Sequence, residues 1–108
     1  MTIIQLSSSA QYDNLIGSNT YSIVSYTTTW CPYCIAIMPT FESLSNSYYD
    51  VQFLNADLNK LGVLTTRESI KGMPTFIIFK NGQRVERIES TNRDGLVRAL
   101  NSVSRYKL

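Results

Sequence analysis

The chain has 108 residues, of which 44% are hydrophobic and 17% are charged. This length suits a single domain over residues 1–108, and the apolar share excludes a disordered chain. The net charge of +2 comes from scattered Lys and Arg, so we expect no nucleic-acid partner. The first residues have no basic region and no window reaches the length of a membrane span, which predicts a cytoplasmic protein without membrane attachment.

The predicted elements alternate between strand and helix from the start of the chain. Residues 2–6, TIIQL, form a short strand, and Ser8 or Ser9 caps a helix that ends at Gly17. Residues 21–27, YSIVSYT, are rich in β-branched and aromatic residues, which is typical of a buried central strand.

A long helix follows this strand almost directly. Its apolar stripe at helical spacing consists of Cys34, Ile37, Met38, Phe41, Leu44 and Tyr48. Pro39 lies in its interior and should kink it, because proline removes a backbone hydrogen bond. Residues 51–56, VQFLNA, resume strand character, so the two strands and the helix between them predict a parallel, right-handed crossover.

The second half of the chain predicts a loose helix, a hairpin and a final helix. The loose helix spans residues 59–70, where Gly62 weakens the pattern. Asn81-Gly82 provides the two positive-φ positions of a tight turn between antiparallel strands, TFIIFK and QRVERIE. Thr91-Asn92 caps the final helix, whose inward residues are Leu96, Val97, Leu100 and Val103. The resulting fold class is α/β, with a central mixed sheet of about five strands and about four helices on its two faces.

Cys31 and Cys34 lie in the stretch WCPYC, where the second strand meets the long helix. Residues three apart on a helix have Cβ atoms roughly 5 to 6 Å apart. A disulfide needs about 3.5 to 4.5 Å, so a slight tightening of the turn brings the pair into bonding range. Unpaired backbone N–H groups and the helix dipole favour a thiolate at Cys31. We therefore predict that Cys31 is the nucleophile and that Cys34 resolves the mixed disulfide.

Other readings of the pair are two unrelated core cysteines, or half of a metal site shared with another chain. Two cysteines and no histidine leave no obvious ligand set for zinc within one chain, so we expect no metal and no cofactor beyond the Cys31–Cys34 couple. Pro32 suits the first helical position. Tyr33 should point to solvent, either as a substrate contact or as a tolerated residue.

The βαβ turn, the WCPYC stretch and the later motif GMPT together resemble the thioredoxin family over nearly the whole chain. The resemblance implies the thioredoxin fold in a monomeric thiol–disulfide oxidoreductase that reduces protein disulfides. It also implies an external electron donor, such as a thioredoxin reductase or glutathione. The Met73–Pro74 bond should be cis and lie against the active-site disulfide. Backbone groups from Met73 to Thr75 should then pair with an incoming substrate strand.

The chain departs from the thioredoxin pattern inside the active site. Pro32-Tyr33 resembles the glutaredoxin motif, which would move the reduction potential from about −270 mV toward about −200 to −230 mV. Ser25 stands where thioredoxins carry a buried Asp, and Asn55 stands where many carry Lys or Glu. The joint loss of these charges is consistent, because one buried charge alone is costly. Either the proton path of the resolving thiol differs, or both are ordinary hydrogen-bonded core residues.

Two further departures concern the surface around the cysteines. Ile35 replaces the common Lys or Arg and, with Trp30, makes the rim apolar, which favours protein surfaces over glutathione. A glycine that is usual before the last helix is replaced around Ser90. The rival interpretations are a glutaredoxin-like, glutathione-dependent oxidoreductase and a binding module. In the module, Trp30, Met73 and Ile35 contact a partner, and the cysteines hold a bridging iron–sulfur cluster in a dimer or nothing.

Overall fold

A five-stranded mixed sheet is the centre of the computed structural model, which describes residues 3–89 and 91–108. The strands are β1 (Ile4–Gln5), β2 (Tyr21–Thr27), β3 (Val51–Asp57), β4 (Thr75–Lys80) and β5 (Gln83–Ile88). They lie in the order β1-β3-β2-β4-β5. β3 is parallel to β1 and β2, whereas β4 is antiparallel to β2 and β5.

Helices cover both faces of this sheet. They are α1 (Ser9–Ile16), α2 (Pro32–Ser45), α3 (Val63–Arg67) and α4 (Arg93–Val103). Buried residues of α2 and α4 pack in one core cluster, and those of α1 and α3 pack in another on the opposite face. The predicted α/β architecture and the parallel β2-α2-β3 crossover are therefore confirmed.

Local caps and turns explain where several elements begin and end. Ser8 caps α1 by accepting the Gln11 N–H at 3.1 Å, and Asn92 caps α4 by accepting the Gly95 N–H at 2.9 Å. Asn81-Gly82 has φ values of 53° and 77°, as a tight hairpin turn requires. These predictions are confirmed.

Other predicted boundaries are wrong. The loose helix is a single short helix, α3, because the carbonyl of Asp57 accepts two N–H groups in a preceding turn and Ser69 adopts a φ of 53° just after it. The first strand is limited to two residues, and its predicted Thr2 lies outside the described residues, as does Ser90. α2 ends at Ser45, before the predicted Tyr48.

Pro39 and Tyr48 keep part of their predicted roles. Pro39 lies within α2, and the expected kink stays a prediction. Tyr48 is fully buried beyond the end of the helix, where its hydroxyl donates to Asn101 at 2.7 Å. In α4 the buried residues are Leu96, Ala99 and Leu100, so Ala99 was missed and Val97 and Val103 are only half-buried.

A buried carboxylate connects α1, β2, β5 and the end of α3. Glu68 is fully buried and accepts hydrogen bonds from the Tyr12 hydroxyl at 2.8 Å and from Arg84 Nε at 2.7 Å. The Tyr12 and Tyr26 hydroxyls lie 2.6 Å apart. Burial raises the pKa of both tyrosines, so their hydroxyls remain protonated across the neutral range. Arg84 pairs with the charge of Glu68, and the Tyr12 hydroxyl donates to its other oxygen, as a buried charge requires.

Replacing Glu68 should destabilise the protein more than breaking a surface ion pair. We expect Glu68→Ala to lower the free energy of unfolding by about 2 to 3 kcal/mol, because it removes the partner of a buried hydroxyl and of Arg84. Asp13→Ala removes an exposed pair with Arg67 and should cost less than about 1 kcal/mol. Urea unfolding measures both, and equal losses would contradict a central role for Glu68.

Candidate active site

Cys31 is the N-cap residue of α2, immediately before its first residue, Pro32. Pro32 occupies the first turn, and the Cys31 sulfur accepts the backbone N–H of Cys34 at 3.2 Å. A cysteine can take this capping place because its backbone is extended there, with φ of −83° and ψ of 113°. The sulfur therefore faces the positive end of the helix dipole, as predicted.

The loop before β4 encloses Cys31 from the other side. The Met73–Pro74 bond is cis, and the Cys31 thiol donates to the Met73 carbonyl at 3.7 Å. Both cysteines are free thiols, with Cys31 5% exposed and Cys34 1% exposed. Cys34 is the more deeply buried of the two, as predicted. Cys31 opens to solvent through a small area only, because the Met73 backbone lies against it.

The Cys34 thiol is strongly held in its protonated form. Burial is the largest cause, the hydrogen bond to the Cys31 sulfur and the charge of that sulfur act in the same direction, and together they raise the pKa of Cys34 to about 12. A backbone hydrogen bond from Thr28 opposes this effect in part. The two sulfurs thus have different environments: one caps a helix, and the other lies in the core.

An apolar rim surrounds the small opening at Cys31. Trp30, Tyr33 and Ile35 are 68%, 65% and 61% exposed, and Met73 is half-buried. Thr75 is buried and donates its hydroxyl to the Gly72 carbonyl at 2.6 Å, so its backbone alone remains for a substrate. The roles of these residues in substrate binding stay predictions.

Ser25 and Asn55 belong to a neutral hydrogen-bonded network. Asn55 Oδ1 accepts the hydroxyls of Ser25 at 2.7 Å and Thr27 at 2.8 Å, and Asn55 Nδ2 donates to Gln5 at 2.9 Å. Gln5 and Thr27 are members of this network that the sequence motifs did not indicate. The position of Thr27 could have indicated it, because Thr27 is two residues from Ser25 on β2 and such residues lie on the same face of a strand.

A groove with a volume of about 840 Å³ runs beside Cys34. Asn55 lines it together with the polar residues Thr27, Thr28, Asp57 and Lys60. The other lining residues include a carboxylate, Glu42, and the apolar side chains of Ile3, Leu6, Ile35, Met38 and Pro39. Cys34 also lines this groove, which shares Ile35 with the exposed rim.

Within residues 3–89 and 91–108, no cluster of three or more His, Cys, Asp or Glu side chains is arranged to hold a metal ion. The same part of the chain contains no helix with the length and apolar character to cross a bilayer.

A thioredoxin family model matches residues 3–102. The chain belongs to the thioredoxin family. Thioredoxin-1 of Schizosaccharomyces pombe is 33% identical, over 82% of this chain and 85% of its own length. Thioredoxin of Ictalurus punctatus is 38% identical, over 73% of this chain and 76% of its own.

Solved thioredoxins have the same fold as this chain. The structure of Plasmodium falciparum thioredoxin superposes with a TM-score of 0.90 at 29% identity, covering 94% of this chain and 100% of that one. Malassezia sympodialis thioredoxin gives a TM-score of 0.89 at 27% identity, covering 94% and 90%. With both cysteines of the CxxC pair present, this member of the thioredoxin family is a protein thiol–disulfide oxidoreductase.

Alkylation should distinguish the two thiols. We expect iodoacetamide at neutral pH to label Cys31 and to leave Cys34 unlabelled until the protein is unfolded, because Cys34 is buried and has a raised pKa. Peptide mass spectrometry identifies the labelled residue. Cys34→Ser should keep the single label and Cys31→Ser should lose it. Rapid labelling of Cys34 in the folded protein would contradict the assignment.

Proposed function

We propose that Cys31 attacks disulfides of other proteins and that Cys34 resolves the mixed disulfide. The observation that carries this assignment is the hydrogen bond from the Cys34 N–H to the Cys31 sulfur at the start of α2. In the first step a bond forms between Cys31 and one substrate sulfur, and the other substrate sulfur leaves as a thiolate. In the second step Cys34 attacks Cys31, the second substrate sulfur leaves, and the two cysteines end as a disulfide.

The substrate docks on the backbone around the cis bond. Residues from Met73 to Thr75 precede and begin β4, and the Met73 carbonyl already lies 3.7 Å from the Cys31 sulfur. An extended segment that pairs with this backbone brings its disulfide to Cys31. The exposed Trp30 and Ile35 support contact with a protein surface, because they offer apolar area.

The remaining parts of the proposal concern what lies outside the chain. The disulfide formed between Cys31 and Cys34 is reduced again by an external donor, a thioredoxin reductase or glutathione. The protein works as a cytoplasmic monomer in electron transport, needs no bound cofactor, and binds neither nucleic acid nor membrane. The scattered charges of the sequence support the absence of a nucleic-acid partner.

Insulin reduction with dithiothreitol tests the main proposal. We expect turnover by the wild type, none by Cys31→Ser because the attacking sulfur is missing, and a trapped mixed disulfide in Cys34→Ser. A glutathione-coupled assay runs beside it. Activity only with glutathione would support the glutaredoxin-like alternative, and activity in neither assay would support a binding module. In the last case, iron content and colour after anaerobic purification show whether a cluster is bound.

The Pro32-Tyr33 pair is the observation that favours the glutathione-dependent alternative. We expect the double substitution Pro32→Gly and Tyr33→Pro to make the protein more reducing, with a shift of about 40 to 70 mV toward the thioredoxin value. Redox titration against glutathione measures the shift. Tyr33→Phe, which keeps the ring and Pro32, should leave the midpoint nearly unchanged. An unchanged midpoint in the double variant would remove the tuning role of this pair.

A further inference from the structure

Resolution of the mixed disulfide requires Cys34 to lose a proton, because a thiolate is the attacking species. Burial raises the pKa of this thiol, so the proton needs an acceptor nearby. The network of Ser25 and Asn55 offers none. Asn55 Oδ1 already accepts two hydroxyl protons in hydrogen bonds, and an amide does not take up a proton near neutral pH.

The strand register places a carboxylate next to this network. Ile23 and Phe53 point into the core cluster under α2, and side chains alternate along a strand. Ser25 and Asn55 therefore face α2 as well, and so does Asp57, two residues further along β3. Asp57 is paired in register with the last residue of β2, at the end of the strand that leads to the cysteines.

Besides Cys34 itself, the ionisable side chains that line the groove are those of Glu42, Asp57 and Lys60. At the start of α2, the backbone N–H of Cys34 also donates a hydrogen bond to the Cys31 sulfur. Glu42 is eight residues from Cys34 along α2, about 12 Å along the helix axis, and is exposed. The ammonium group of a lysine has no lone pair with which to accept a proton. Asp57 is half-buried and is the remaining acceptor among these groups.

Thr28 provides a further polar group in the groove that Cys34 and Asp57 line. Its side chain lines the groove and is buried, and its hydroxyl has no hydrogen-bond partner within the described part of the chain. Thr28 and Cys34 line the same groove, and a backbone hydrogen bond from Thr28 lowers the pKa of Cys34, so Thr28 lies beside this thiol. Buried hydroxyls are normally satisfied by protein or by ordered water. A water molecule in the groove would satisfy this one.

We propose that Asp57 accepts the proton of Cys34 through water in the groove, and that the Thr28 hydroxyl positions the first water. This inference rests on the proposed roles of Cys31 and Cys34. As the Cys34 sulfur bonds to Cys31, its proton passes to water and on to the Asp57 carboxylate. The bond from Cys31 to the substrate breaks, its electron pair leaves with the substrate sulfur, and Asp57 returns the proton to solvent. Thr28 is a positioning residue in this route.

A chromogenic aromatic disulfide separates the two steps. Reduced protein mixed with dithiobis(nitrobenzoate) in a stopped-flow instrument releases one coloured thiolate when Cys31 attacks and a second when Cys34 resolves. The rates of both phases are followed from about pH 5 to about pH 9, a range that shows the titration of a general base.

We expect Asp57→Asn to slow the second phase about a hundredfold near neutral pH, which is a typical loss for general-base catalysis, and to leave the first phase unchanged. Its second phase should then rise in proportion to hydroxide across the range, and Asp57→Glu should restore the wild-type profile. Thr28→Val should slow the second phase, and Thr28→Ser should restore it. Glu42→Gln is the matched control, with both phases unchanged.

A second phase of wild-type rate in Asp57→Asn would overturn the route, and so would equal slowing of both phases. If Asp57→Asn does not fold, the Thr28 variants decide: a slow phase restored by serine supports the route, and equal rates in valine and serine overturn it. Failure of the proposed function looks different, because the wild type itself would then show no second phase.

Discussion

The hydrogen bond from the Cys34 N–H to the Cys31 sulfur is the contact on which the chemistry of this protein depends. It exists because β2 ends just before the cysteines and α2 begins at Pro32, so the capping place falls on a sulfur. The same turn puts the second sulfur one helical turn deeper, in the core. One local backbone geometry therefore places the two sulfurs in different environments, and burial raises the pKa of the Cys34 thiol.

Buried polar groups are satisfied in different ways on the two faces of the sheet. Beneath α2, the side chains of Ser25, Thr27 and Asn55 satisfy one another without any net charge. On the opposite face, the fully buried Glu68 is charged but is paired with Arg84. Charge is absent from the hydrogen-bonded network of Ser25, Thr27 and Asn55, whereas on the opposite face a guanidinium balances it.

The surface around the site combines a recessed sulfur with exposed apolar side chains. Cys31 has a small exposed area in a recess between Trp30 and the backbone of Met73. Under the proposed function, an extended segment that pairs with the backbone from Met73 to Thr75 fits this recess, with the exposed Trp30 and Ile35 on its flanks.

Local patterns in the sequence were sufficient for most of the architecture and for the reactive pair. The stripe of α2, the Asn81-Gly82 turn and the cap at Cys31 depend on neighbours within a few positions, so they could be read directly. The cis bond at Pro74 followed from family resemblance, since no local spacing requires it.

Only the tertiary structure decided the contacts between positions that are distant in the sequence. The partners of Glu68 lie 16 and 56 positions away in the sequence, and no periodicity predicts such pairing. The length of α3 depends on a turn at Asp57. The groove beside Cys34 is lined by residues of β3 and α2 and by Thr28. The sequence alone determined the CxxC spacing and the cap at Cys31, because both depend on residues a few positions apart. Packing determined which side chains share the groove with Cys34, because that depends on which side chains the fold brings to one face.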